Sequence, residues 1–350
     1  MHGVLCANRC PALADCVRIV REDAAIAPIY PTRSAMLAAV LSFPAAWAMP
    51  ATPGHQLHQA EPGATFVARD LVGDGVFGGG IEGPATGPDG ALYAVGFGRD
   101  GSIGRVATGG GGNAVATPFV ELSEGSTGNG IRFGADGTMY VADYTGHAVL
   151  AVDMGSRRVR VFARLDGAHQ PNDIAMAPDG TLYASDPDWK TGTGQLWRIG
   201  RDGHAQRLKA GMGTTNGIEV SADGRRLYVN ESVQRRLWAY DIDADGGIAN
   251  KRLLLAFPDH GMDGMRSDAD GNLYIARYGA GVVAVVSPSG KVLREVRLKG
   301  RKPTNVAFGG VDGRDVYVTL QDRGAIETFR SDRPGREYGR EQGRQGARGR

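Results

Sequence analysis

Residues 170–187 read QPNDIAMAPDGTLYASDP, and this order of residue types recurs along most of the chain. A polar residue leads a short apolar stretch, an Asp-Gly pair follows, and an apolar-Tyr-apolar run closes the unit. Asp-Gly between two β-rich runs marks a hairpin, because glycine supplies the positive φ that tight hairpin turns need. The aspartates are Asp89, Asp136, Asp179, Asp223, Asp270 and Asp312, spaced 47, 43, 44, 47 and 42 residues apart. The tyrosines that follow are Tyr93, Tyr140, Tyr183, Tyr228, Tyr274 and Tyr317. Each unit continues into further β-rich runs, such as VLAVD at 149–153 and VRVFA at 159–163. Four antiparallel strands repeated every ~40–45 residues are the signature of propeller blades. Apolar residues at helical spacing are missing, which argues against a helical solenoid. The expected fold is all-β, a six-bladed β-propeller of four-stranded antiparallel blades over residues 65–330. The sixth unit has no clear fourth strand of its own. TFVARDL at 65–71 has the length and alternation to supply it, which closes the ring by pairing the two chain ends.

The flanks read differently. Arg33, an apolar run from Ala35 to Ala48 and the small-x-small triplet Ala46-Trp47-Ala48 have the order of a secretory signal. Residues 1–48 are therefore expected to be an upstream leader with its signal peptide, and 49–64 a linker. The apolar run is too short for a membrane span, which needs ~20 residues. Cys6, Cys10 and Cys16, the three cysteines of the chain, all fall in this leader, so disulfides contribute nothing to the mature protein. Residues 331–350 are rich in Arg and Gly with almost no apolar side chain and read as a disordered basic tail. A net charge of +2 gives no argument for a nucleic-acid partner. The expectation is a periplasmic or secreted monomer with a small-molecule substrate and neither nucleic-acid nor membrane partners.

Seven residues before each turn aspartate stand Glu82, Asn129, Asn172, Asn216, Asp263 and Asn305, all with a side-chain oxygen. The first strand of a blade lines the channel, so equivalent positions form a ring about the axis. Asparagines at a strand start also stabilise local turns, and the four amides alone leave that reading open. Two carboxylates in a narrow channel, however, are poorly solvated and repel each other. A divalent cation would offset both charges, and amide oxygens would fill further coordination sites. An all-oxygen set points to Ca2+, less strongly to Mg2+ or Mn2+. Zn2+ more usually recruits His or Cys, although oxygen sites also accept it.

The segments EGPATGPDGALYAV, QPNDIAMAPDGTLYASDP, TNGIEVSADGRRLYVNES, MDGMRSDADGNLYIA and PTNVAFGG resemble the senescence marker protein / gluconolactonase / luciferin-regenerating enzyme family. The resemblance covers about residues 65–330. It implies a calcium-dependent six-bladed propeller that hydrolyses lactones, with related propellers acting on organophosphates. The family's metal ligands are a Glu in the first blade, Asn in the third and fourth, and Asp in the fifth. Carried over, these are Glu82, Asn172, Asn216 and Asp263, four of the six ring positions. Asn129 and Asn305 then need not touch the metal and are expected at the substrate. Mammalian members place an arginine two residues before the third-blade Asn, where this chain has Gln170.

In such a site the cation would polarise a carbonyl, with Asp263 as general base or as nucleophile. Residues three after each tyrosine (Gly96, Asp143, Asp186, Glu231, Arg277 and Leu320) are expected beside the ring. Arg277 there is a candidate for a substrate carboxylate or oxyanion, or for a structural pairing with Glu231 or Asp263. His169 and His260, three residues before ring members, are candidate acid–base groups or merely exposed loop residues. Met262 and Met265 are expected to pack. Two other function classes fit the same pattern. One is a metal-stabilised binding propeller without turnover. The other is a strictosidine-synthase-like or lyase propeller, although the streptogramin lyase type usually has seven blades.

Overall fold

The structure, a computed structural model, describes residues 64–108 and 114–338. The leader and signal segment, the linker up to residue 63, most of the glycine-rich stretch 108–112 and residues 339–350 lie outside the described residues. The described chain forms six four-stranded antiparallel sheets, the blades of a propeller. Their innermost strands are Glu82–Thr86, Gly128–Phe133, Ile174–Met176, Thr215–Val220, Met265–Ser267 and Pro303–Gly309. Each touches the next in chain order, and the sixth touches the first, so the ring closes.

The hairpin between the first two strands of a blade uses the Asp-Gly pair as anticipated. Gly180 has φ +92° and its N–H reaches Ala177, while Ala177 N–H reaches Thr181. This is a three-residue loop closed by a glycine in the left-handed region. Asp179 accepts the N–H and hydroxyl of Thr181, which holds the turn from inside.

Cohesion lies between blades. Six apolar clusters each join two neighbouring blades, and one of them joins the last blade to the first. Tyr93, Tyr183 and Tyr274 are fully buried in these layers. Burying one such side chain contributes roughly 1.5–3 kcal/mol. The closing cluster holds ten buried residues against nine to twelve elsewhere, so closure buries a core within the range of the other seams.

The N-terminal strand does complete the last blade, but only as Arg69–Val72, paired to Ala325–Arg330. Residues 65–68 do not continue it. Phe66 takes φ +62°, rare for a side chain of that size, and its ring lies 6.2 Å from Phe329 under the guanidinium of Arg294. A single parallel bridge of Thr65 with Arg330, the Phe66 N–H donating to the Arg330 carbonyl at 2.7 Å, and the apolar anchor together hold this part of the chain.

The segment after residue 330 corrects the expected disordered tail as far as Tyr338. Ala269 N–H bonds to Pro334, Gly335 N–H bonds to Gly313, and Arg336 is buried. Composition suggested disorder because it registers charge without the partners that charge can find. Among the described residues, no helix is long and apolar enough to cross a membrane.

Candidate metal centre in the channel

The ring position is a break in the strand ladder. Glu82 pairs with Val95, but the next pair is Ala85 with Tyr93. The same slip follows Gly128, Thr215 and Pro303. In the other two blades the ladder starts only after Asn172 and Asp263, at Ile174 and Met265. Such bulges re-aim a side chain; in the second, fourth and sixth blades the bulge carries the ring asparagine, and in the first Glu82 is the paired residue just before it. A glycine often follows the ring residue because the neighbouring blade comes very close. A Cβ on Gly264 would lie 1.9 Å from the amide carbon of Asn305, and one on Gly217 would lie 2.4 Å from the carbonyl oxygen of Asp263.

Among the described residues, no cationic side chain forms an ion pair with either of the two ring acids. Glu82 lies close enough for its charge to raise the Asp263 carboxyl, and the nearby Asn216 amide opposes that rise. Burial pushes Glu82 up to about 7, and the charge of Asp173 below it adds to this. Burial, then the charge of Glu82, raises Asp263 well above the ordinary carboxylate range. Of the two, Glu82 is buried and Asp263 keeps some exposure. Asn230 Nδ2 donates to the Asp263 carbonyl at 2.6 Å and Ser232 Oγ to that of Met262 at 2.5 Å, so the fourth blade pins the backbone of the exposed acid.

Three ring amides are unsatisfied. The Oδ1 atoms of Asn129, Asn172 and Asn216 are buried without any hydrogen-bond partner. An orphaned buried acceptor costs about 1–3 kcal/mol, and three at one level call for a donor or a cation. Among the described residues no three His, Cys, Asp or Glu side chains cluster, so a cation would need amide oxygens as well as acids. The ring offers that mixture. It suits hard divalent ions, which take carboxylate and amide oxygens.

One level along the channel, every charge is matched. Asp173 Oδ2 lies 3.2 Å from Arg266 and Oδ1 3.5 Å from Arg132. Arg132 also reaches Glu219 at 3.2 Å. Arg336, from the C-terminal segment, places Nε 2.5 Å from Glu219 Oε1, off the N–H axis, and donates to the carbonyls of Val220 and Met176. Sequence reading missed this column. Its signal was available: Arg132, Glu219 and Arg266 each stand three residues after a ring member, charged within otherwise apolar strands.

The remaining candidates separate. Asn305 does not offer its oxygen to the channel, since Oδ1 accepts from Val306 N–H and Arg266. Arg277 is not at the ring. It is buried, donates to Asp259 and the carbonyl of Gly261, and stacks 3.5 Å from the centre of Phe257. Asp143, Asp186 and Glu231 at the equivalent positions likewise bind the loop leading into their own blade, through the N–H groups of Thr127, of His169 and Gln170, and of Gly213. These positions brace loops with either polarity of partner. His169 and His260 are exposed on rim loops, and Gln170 is half-buried beside them. Met262 and Met265 are packed as expected.

Comparison with known proteins agrees with this architecture. Over 232 residues the chain is 27% identical to a gluconolactonase of Zymomonas mobilis, covering 59% of this chain and 64% of that protein. Over 194 residues it is 30% identical to pentonolactonase XacC of Haloferax volcanii, covering 54% and 66%. The matched part thus spans just under two thirds of each relative's length. A crystal structure of a calcium-binding protein, regucalcin, from Agrobacterium tumefaciens superposes with a TM-score of 0.65 at 22% identity, covering 76% of this chain and 95% of that one, a likeness of fold. The profile of the SMP-30/Gluconolactonase/LRE-like region matches residues 87–322, the greater part of the propeller, and the chain belongs to that family.

Proposed function

We propose that the protein is a divalent-cation-dependent hydrolase of lactones or related esters. The observation that carries this reading is the contrast inside the channel. Buried acids are matched by arginine at the lower level and left unmatched, beside three orphaned amide oxygens, at the ring. Glu82, Asn172, Asn216 and Asp263 would hold the cation, with calcium favoured by the all-oxygen set and magnesium or manganese as the nearest competitors. When bound there, a divalent cation supplies Lewis-acid polarisation of an ester carbonyl and stabilises the oxyanion that develops.

The protein's own groups divide the remaining work. Glu82, buried and in contact with Asn305, serves as a fixed ligand. Asp263 keeps access to solvent while its backbone is pinned by Asn230 and Ser232. It can take a proton from an attacking water or attack the carbonyl itself. Asn129, half-buried with its amide oxygen unpartnered, would contact the substrate, and His169, Gln170 and His260 are further candidates for that role. The relatives named as lactonases support a lactone as substrate. Export to the periplasm or outside the cell is part of this reading and rests on the Arg33-to-Ala48 segment.

A panel of sugar lactones, simple lactones and organophosphates, assayed with chelator and with Ca2+, Mg2+, Mn2+ or Zn2+ restored, tests the proposal. Turnover lost to chelator and recovered with calcium supports it. Tight cation binding with no turnover on any ester would favour a metal-stapled binding propeller instead. Single-turnover hydrolysis in 18O-water then separates the two roles of Asp263: activation of water by Asp263 as base puts the label in the product acid, whereas nucleophilic attack followed by hydrolysis of the acyl-enzyme at the aspartyl carbonyl leaves it in the Asp263 carboxylate.

A further inference from the structure

Of four asparagines in the same register, Asn305 alone has its amide oxygen engaged. Val306 N–H donates to Asn305 Oδ1 at 2.9 Å, and Arg266 Nη1 donates to the same oxygen at 3.2 Å. Two donors on one atom fix which end of the amide is oxygen, so the NH2 group must face the other way. There it meets Glu82, with Nδ2 3.1 Å from Oε2. Arg266 is itself immobilised by Asp173 and by the carbonyls of Met265 and Ile131. Thr319, on the neighbouring strand, donates to the Asn305 carbonyl and accepts its N–H. The space for this amide exists only because residue 264 has no Cβ.

From this geometry we infer that Asn305 is a positioning residue of the cation site. It is the link by which the paired column beneath, through Arg266, orients the carboxylate of Glu82. The inference rests on the proposed cation at the ring and goes beyond it, because it removes Asn305 from both the ligand set and the substrate contacts. An acceptor already taken by two donors is a poor ligand for an ion. A donor to Oε2 leaves the other carboxylate oxygen of Glu82 to turn towards the channel axis. A ring with six identical oxygens would have no preferred direction. Turning one amide over makes Glu82 the fixed corner of the site and leaves Asp263, on the next blade back, as the acid free to react.

Terbium luminescence titration with calcium competition, on the full-length protein, tests this without reference to catalysis. Asn305→Leu removes the donor at similar volume and should weaken calcium binding about tenfold, the scale of one charge-assisted hydrogen bond. In a Glu82→Gln background the same change should cost less than about threefold, because the charged partner on which Asn305 acts is gone. Asn305→Ser, too short to reach Glu82 but able to satisfy Val306, should repeat the result if the leucine variant folds poorly. Equal losses in both backgrounds would make Asn305 an independent ligand and overturn the inference, as would no loss in either variant. If the unmodified protein takes up no cation at all, the proposed function fails and this inference falls with it. A failure confined to the Asn305 variants leaves that function standing.

Discussion

The two levels of the channel hold nearly the same chemistry with opposite outcomes. At the lower level, Asp173 and Glu219 are buried among Arg132, Arg266 and Arg336, and each acid has at least two arginines within 3.5 Å. At the ring, Glu82 and Asp263 have each other and a set of amides. Crowding of like charge is real in the column too, where burial and then the neighbouring Arg266 pull Arg132 down to about 10. A buried ion pair is costly to break and gives little net stability when intact. A buried acid such as Glu82, with a second acid beside it and no cation, is costly as it stands. The difference teaches that the column's acids are neutralised within the fold, whereas the ring acids are not, which is the contrast on which the proposed cation site rests.

The sharpest way to break that comparison is to remove one acid from each level and follow unfolding in the presence of chelator. Glu219→Gln takes a buried carboxylate from Arg132 and Arg336 and should destabilise the fold by about 3–5 kcal/mol, the cost of breaking a buried pair. Glu82→Gln under the same conditions should leave stability unchanged or raise it, since it relieves repulsion. Equal destabilisation in urea melts would mean that the ring acids are paired after all.

Catalysis should show the next largest effect. Asp263→Asn keeps the shape and should lower hydrolysis by at least ~10²-fold, the low end for positioned acid–base groups, with the circular dichroism of the propeller unchanged. Glu82→Gln should act mainly through affinity. Its calcium titration should shift to higher concentration, and excess calcium should restore part of the rate.

How much of this was legible in the sequence follows from what each feature depends on. Blade number and the ring needed only local spacing, since turn chemistry repeats and counting back from each Asp-Gly pair preserves register. What counting could not give was direction. Asn305 stands at the same offset as Asn172, yet its amide is reversed, because Arg266 from a different blade donates to it. Arg277 sits one register step from the ring, yet points at Asp259 on its own loop. Arg336 read as tail because its partner, Glu219, lies more than a hundred residues earlier. Long-range pairing decides each of these, and the local pattern carries no trace of it beyond a charged residue in an apolar strand.

The smallest expected effect is on pH dependence. The folded protein holds Glu82 at about 7 against an ordinary value of 4.5, so between these values it binds more protons than the unfolded chain. The stability tied to that proton is present below about pH 4.5 and is lost as pH rises through about 7. Metal-free protein should therefore melt at lower temperature as pH climbs through this window. The slope should flatten in Glu82→Gln and vanish with saturating calcium.

The most direct test is an anomalous difference map from crystals soaked in calcium, and in terbium as a stronger scatterer. A single peak on the channel axis, with oxygens of Glu82, Asn172, Asn216 and Asp263 about 2.3–2.6 Å away, is the result expected here, with Asn305 still turned towards Glu82. A peak elsewhere in the propeller, or none at millimolar calcium, would contradict it.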